Sequence, residues 1–245
     1  IRIMPFNLSL GQFYGIDSIV EVLIIIVSFI ISYYSNKVYK LVKDRNYRLF
    51  SFAFLAIAIS FIFKIFSNLT ILHRVTIPVA NFVVVVFHEF EFMEVINFVS
   101  LILYKSFYLI GFLILFLIIT KTKNKEKMLL FFYLGLITIL FSIYFDFVFH
   151  VTLVLILILL TIHFFENHRE KRSLNTLLVF IAFLLVLISH LFFVIEEINP
   201  IFYLIAEIFS LIGFLSLLVN YIKINNEKTN AIGSNKRHFR NIARK

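Results

Sequence analysis

Seven apolar stretches, each close to one bilayer in length, divide this chain at roughly 17–36, 48–67, 95–119, 128–145, 148–166, 174–195 and 200–222. A hydrocarbon core about 30 Å thick takes about 20 residues of helix, and six of the seven stretches reach or approach that length. Lipid offers no partner to a backbone N–H or C=O, so only helices or closed barrels cross it. Runs such as Val151–Leu160 lack the in–out alternation of a barrel strand. The expected fold class is therefore an all-α integral membrane protein with seven transmembrane helices.

The connections between the stretches alternate in sign. Lys37, Lys40, Lys43, Arg45 and Arg48 fill the first, Lys121, Lys123, Lys125 and Lys127 the third, and Arg169, Lys171 and Arg172 the fifth. Further basic residues follow from Lys223 onward, whereas Asp17, Glu89, Glu91, Glu94, Asp146, Glu196 and Glu197 gather on the opposite side. The positive-inside bias then predicts an extracellular N-terminal segment, 1–16, and a cytoplasmic C-terminus in the cell membrane. The formal charge of +9 is thereby a topology signal, and no nucleic-acid partner is expected. Asp17 and Glu21 open the first stretch and no small-residue cleavage pattern follows it, so it reads as a span and not as a signal peptide. With 61% of 245 residues hydrophobic, there is little room for a soluble catalytic domain. The absence of cysteine excludes disulfides, thiolate metal sites and thiol catalysis.

Outside the spans, residues 68–94 form the one long outer loop. It holds Pro78, His73, His88, Glu89 and Glu91 and suits a lid or an interfacial hairpin, or equally a simple interfacial loop. His88-Glu89 is no zincin motif, because Phe92 stands where the second histidine belongs. The sequons at Asn7 and Asn68 both fall on the side expected to be outside. Residues 224–245 read as a mobile basic tail. Lys236, Arg237, Arg240, Arg244 and Lys245 in it are placed to meet anionic headgroups at the cytoplasmic face, at about 1 kcal/mol each.

An internal repeat is visible beneath this pattern. Ala53-Phe54-Leu55 with Ile59-Ser60 matches Ala182-Phe183-Leu184 with Ile188-Ser189, and LIGFL occurs at 109–113 and again at 211–215. Carried along the chain, the first match pairs Glu21 with His150 and Lys43 with Arg172; the second pairs Lys105 with Glu207. The implied plan is three helices, a linking helix, and three helices again, about an axis along the membrane normal. In span order and orientation this resembles the SWEET sugar facilitators and their PQ-loop relatives, and more loosely the microbial rhodopsins. The chain departs from both. It has no Pro-Gln pair and no proline within a span, and its seventh span carries Glu207 where a retinal-binding lysine would be expected.

Six ionisable residues share one depth. Glu21, Lys64, Lys105 and Glu207 each lie 16 residues from a basic connection, at Lys37, Arg48, Lys121 and Lys223 respectively. That places them about 24 Å above the inner face, in the outer third of the bundle, with His150 and His190 at similar height. Charge inside lipid costs about 2.5–3.5 kcal/mol at the centre, so each calls for a partner or a function. Lys105 and Glu207 are the expected ion pair, Lys64 is able to snorkel outward, and the charges of the layer cancel if both histidines are neutral. Glu21, Ser28, Ser32, Ser35 and Tyr39 form one stripe on the first span; Ala53, Ala56, Ser60, Lys64 and Ser67 form a small-residue seam on the second. In the inner half only His163 reads as buried.

Lys105, Glu207, His190, His150, Glu21 and Lys64 are thus the candidate ligand- or ion-binding residues, with no catalytic residue, metal site or cofactor expected. Three roles are compatible with them: a receptor-like sensor of a small polar ligand from outside, a facilitator of a small polar solute, or a structural or assembly subunit. A sensor would signal through a membrane or cytoplasmic protein partner at the basic inner turns. Enzymatic activity is not expected, since no Ser-His-Asp set, paired aspartates or metal-ligand spacing appears.

Overall fold

A computed structural model describes the backbone of residues 14–76, 83–120 and 125–242, and the side chains of 17–69, 93–120, 126 and 128–223. It contains seven helices and, among the described residues, no strand: α1 Tyr14–Val42, α2 Arg45–Thr76, α3 Val83–Thr120, α4 Lys125–Phe141, α5 Asp146–Lys171, α6 Leu174–Val194 and α7 Pro200–Ile242. Six contain a segment long and apolar enough to cross a bilayer, and α4 contributes the shorter apolar segment Met128–Phe141. This is the architecture of a multi-pass membrane protein.

The outside is apolar, and polar side chains are buried beside an apolar core that includes Phe54, Phe112, Phe149, Phe183 and Phe214. Phenylalanine, leucine and isoleucine side chains line the outside, among them Phe52, Phe98, Leu129, Leu155 and Ile212, while Glu21, Ser28, Ser35, Ser60, Lys64, Ser189, His190 and Glu207 are buried. The six-helix core packs as two triplets. α2 lies between α1 and α3, α6 lies between α5 and α7, and the contacts of α1 with α7 and of α3 with α5 close the bundle. α4 rests on α3 and α5 at the edge, with most of its apolar side chains facing outward.

Two helical hairpins share one construction. α1 ends at Lys43, whose backbone is left-handed (φ 61°) and whose N–H returns to the Tyr39 carbonyl at 2.8 Å. Asp44 then caps α2 by accepting from the Asn46 N–H at 3.0 Å. α5 ends at Arg172 (φ 46°), whose N–H returns to the His168 carbonyl at 2.7 Å, and Ser173 caps α6 through the Thr176 N–H at 3.2 Å. Two close approaches are built alike as well. A Cβ on Gly111 would stand 2.6 Å from Ile57 Cγ1 and 3.0 Å from the Ala53 carbonyl oxygen; one on Gly213 would stand 2.7 Å from Val186 Cγ2 and 3.0 Å from that of Ala182.

The serine stripe of α1 faces α2 and ties to its backbone. Ser32 donates to the Ser51 carbonyl and Ser51 to that of Ser32, both at 2.8 Å, and Ser35 donates to that of Tyr47 at 2.9 Å. The small-residue seam of α2 is buried from Ala53 through Ser67.

Several element boundaries differ from the sequence reading. α2 runs to Thr76 and α3 begins at Val83, so helix enters the region expected as the outer loop 68–94. α7 continues as helix to Ile242 through what reads as a tail. The side chains of His73, His88, Glu89, Glu91, Lys236, Arg237, Arg240, Arg244 and Lys245 lie outside the described residues, as do residues 1–13. α4 stops at Phe141 instead of 145. The Ile143 and Tyr144 N–H groups reach back only three residues, to Leu140 and Phe141, and the Ser142 carbonyl is taken by the Lys105 ammonium. A helix tightened and claimed from outside at its last carbonyl ends there. His163, expected to be buried, is exposed on the outer surface of α5.

Candidate functional site

Six of the seven helices bring side chains to one cavity of about 160 Å³ at the end of the bundle where α1 and α5 begin. α1 contributes Asp17; α2 Lys64, Ser67 and Asn68; α3 Leu101, Tyr104 and Lys105. α5 contributes Asp146 and His150, α6 and the turn after it Phe193 and Glu196, and α7 Tyr203.

Lys64 is the hub of its floor. The Nζ donates to Glu207 Oε1 on α7 and lies 3.2 Å from Glu21 Oε1 on α1, so one ammonium stands between two carboxylates. The ring centroids of Phe61, Tyr104, Phe193 and Tyr203 lie between 5.6 and 5.7 Å from the same nitrogen. Four rings at that range favour a cation at this position. Asn68 Nδ2 donates to Glu21 Oε1 at 2.8 Å, so this sequon asparagine is committed to the interior. The expected Lys105–Glu207 pair does not form. Lys105 Nζ instead lies 2.6 Å from Asp146 Oδ1 and donates to the Ser142 carbonyl at 2.8 Å, binding α3 to the start of α5. Lys64, which the sequence leaves free either to snorkel or to face the bundle, points inward and is buried.

The two histidines form a chain. Tyr108 Oη and His190 Nε2 are 3.1 Å apart, His190 Nδ1 and His150 Nδ1 are 3.1 Å apart, and His150 Nε2 lies 4.0 Å from Asp146 Oδ2. The tautomers follow from the partners. A bare His150 Nε2 would face a carboxylate lone pair to lone pair, so that nitrogen carries a proton and His150 Nδ1 accepts. His190 Nδ1 then donates and His190 Nε2 accepts from the tyrosine. In that arrangement the protons run from Tyr108 toward the half-exposed Asp146.

The sequence reading brought six residues to one layer, and the structure places all six around this cavity: Lys64, Lys105 and His150 on its wall, Glu21, Glu207 and His190 bonded behind them. It omitted Asp17, Asp146 and Glu196. Asp17 and Asp146 were visible as positions four residues before Glu21 and His150, on the same helical face. Glu196 lies in the turn between α6 and α7, outside the spans, and burial followed by the charge of Asp146 pushes its carboxyl up to about 8.

With these included, the layer does not cancel. Five acidic side chains (Asp17, Glu21, Asp146, Glu196, Glu207) face two ammoniums (Lys64, Lys105), so acidic groups outnumber basic ones by three. Asp17 Oδ1, Glu21 Oε2, Glu196 Oε2 and Glu207 Oε2 are buried and have no hydrogen-bond partner among the described residues. No group of three His, Cys, Asp or Glu side chains among those residues is close enough to hold a metal ion.

Comparison with protein-family models, curated proteins and solved structures finds no match to this chain.

Proposed function

We propose that this chain is a receptor-like membrane sensor whose polar cavity binds a small ligand arriving from outside the cell. The observation that carries it is the cavity itself: charged, aromatic-walled and backed by the Lys64–Glu21–Glu207 cluster, with buried polar atoms that make no hydrogen bond among the described residues. Buried polar groups are normally satisfied, and a wall that leaves several unmet is costly unless something else meets them. Asp146 and Glu196, both partly exposed, lie at the shallow end, where a ligand would enter. The orientation rests on the basic connections and makes that end extracellular, with the cytoplasmic turns as the surface for an output partner.

A second reading, a facilitator of a small polar solute, is favoured by one specific observation: the two triplets are built as copies. Lys43 and Arg172, the two left-handed non-glycine residues among those described, are separated by the same 129 positions as Ala53 and Ala182, and so are their capping neighbours Asp44 and Ser173. Gly111 and Gly213 approach those alanines identically. This supports a 3+1+3 parallel repeat with α4 as the linker, the plan on which facilitators alternate access.

The deciding experiment reconstitutes the purified protein in vesicles and in nanodiscs. The sensor reading expects saturable ligand binding in nanodiscs, lost with Lys64→Met, and no net solute flux in vesicles. Flux of the bound solute down its gradient overturns it in favour of the facilitator.

A further inference from the structure

We propose that the cavity takes a small organic cation, an ammonium or guanidinium of about six heavy atoms, and not an anion or a sugar-like neutral solute. This deepens the ligand-binding reading above and rests on it.

Charge assignment comes first. Lys105 is spent on Asp146 at 2.6 Å, and Lys64 is spent on Glu207 and Glu21. Asp17 and Glu196 on the cavity wall form no salt bridge among the described residues, and the second carboxylate of the Glu21–Glu207 pair has no ammonium of its own. The groups left without an ammonium are therefore all acidic.

A second, independent observation points the same way. Asp17 is only 3% exposed and lines the cavity; the Tyr203 hydroxyl serves its carboxyl, yet its Oδ1 accepts no hydrogen bond from any described residue. Such an oxygen needs a donor, and a ligand N⁺–H supplies one with charge. An anionic ligand would leave it unmet and add repulsion.

The walls match the same chemistry. Tyr104, Phe193 and Tyr203 line the cavity, and their faces already surround one ammonium, that of Lys64. Aromatic faces beside carboxylates recognise organic cations, because the rings accept the apolar body and the charge together. Size follows from volume. About 160 Å³ is close to the roughly 150 Å³ that holds a benzene-sized guest.

The test uses three probes of one shape: 3-methylbutylammonium, 3-methylbutan-1-ol and 3-methylbutanoate. Each is titrated into the full-length protein in nanodiscs, with thermal stabilisation and calorimetry as readouts. The ammonium should bind saturably and raise the unfolding temperature, and the other two should not. Asp17→Asn should weaken it about tenfold, with Glu196→Gln as the second variant should the first fail to fold. Glu197→Gln, an exposed change in the same turn and outside the cavity wall, should leave affinity unchanged. Preferential binding of the alcohol or the carboxylate overturns the cation assignment and leaves a ligand site standing. No response to any of the three overturns both readings, and equal weakening by Glu197→Gln reduces the effect to surface charge.

Discussion

Lys64 on α2 donates to Glu207 on α7, so the one buried ammonium on the cavity floor ties the first helical triplet to the second. Glu21, 3.2 Å from the same nitrogen, makes the contact a triad, and the three side chains should not be equivalent on removal. Lys64→Met strands two buried carboxylates and should cost about 3–5 kcal/mol. Glu207→Gln leaves the ammonium on Glu21 and should cost less, about 1–2 kcal/mol. The triple variant Lys64→Met, Glu21→Gln, Glu207→Gln removes every charge and should recover most of the first loss. Thermal unfolding in a single detergent measures all three. Equal losses in the single variants, with no recovery in the triple, would show that the triad does not hold α2 to α7.

Glycine at 111 and 213 is fixed by backbone, and glycine at 135 by side chains alone. At 111 and 213 an added Cβ meets a carbonyl oxygen at 3.0 Å and a branched side chain closer still, and a helix carbonyl cannot step aside. At 135 the nearest atoms are the side-chain tips Leu113 Cδ1 at 3.1 Å and Leu109 Cδ2 at 3.2 Å, which need to give by only a few tenths of an ångström. Gly111→Ala and Gly213→Ala should each destabilise by about 1–3 kcal/mol and to similar extents, since their surroundings match. Gly135→Ala should stay below about 1 kcal/mol. A large loss at 135 with none at 213 would contradict the packing.

Depth was legible in the sequence; azimuth was not. Counting residues from the basic connections placed Glu21, Lys64, Lys105, His150, His190 and Glu207 in one layer, because helix rise is constant. Which side chains meet depends on the rotation of each helix, and rotation is set by packing that one sequence does not display. Lys105 therefore reads as a partner for Glu207 where its partner is Asp146, and Lys64 reads equally as a snorkelling residue and as a site residue where it forms the floor. Asp146 and Glu196 read as part of the acidic outer turns and not of the layer for a related reason: both stand where a span meets a turn, and charge there reads as solvated. The boundary of α4 was misplaced by four residues because Phe145 continues the apolar run, while the helix yields to Lys105 at the Ser142 carbonyl.

The chain has no native cysteine, so its orientation is open to a direct check. Glu170 and Glu197 are exposed at opposite ends of the bundle, beside the basic α5–α6 turn and in the α6–α7 turn respectively. Glu197→Cys should react with a membrane-impermeant maleimide on intact cells, and Glu170→Cys only after permeabilisation. The reverse pattern would invert the topology and put the cavity mouth in the cytoplasm.

Glu196 should make the empty protein less stable toward alkaline pH. Burial, and then the negative Asp146, raise its carboxyl from 4.5 to about 8, while Lys64 acts in the opposite sense and Glu207 and Glu197 reinforce the rise. A carboxyl raised in the folded state binds its proton more tightly there than in the unfolded chain. Its contribution is complete below about 4.5 and disappears as pH climbs through about 8. The unfolding temperature should therefore fall between pH 5 and pH 9, and Glu196→Gln, which keeps the neutral shape, should flatten that decline. Glu170→Gln is the control, since its exposed side chain lies at the opposite end of the bundle and off the cavity wall. A bound cation would change the sign of the argument by favouring the ionised carboxylate. Saturating ammonium should then stabilise the protein more at pH 8.5 than at pH 6, and in Glu196→Gln that difference should shrink. An identical pH profile in the wild-type and Glu196→Gln proteins would place the alkaline sensitivity elsewhere in the bundle.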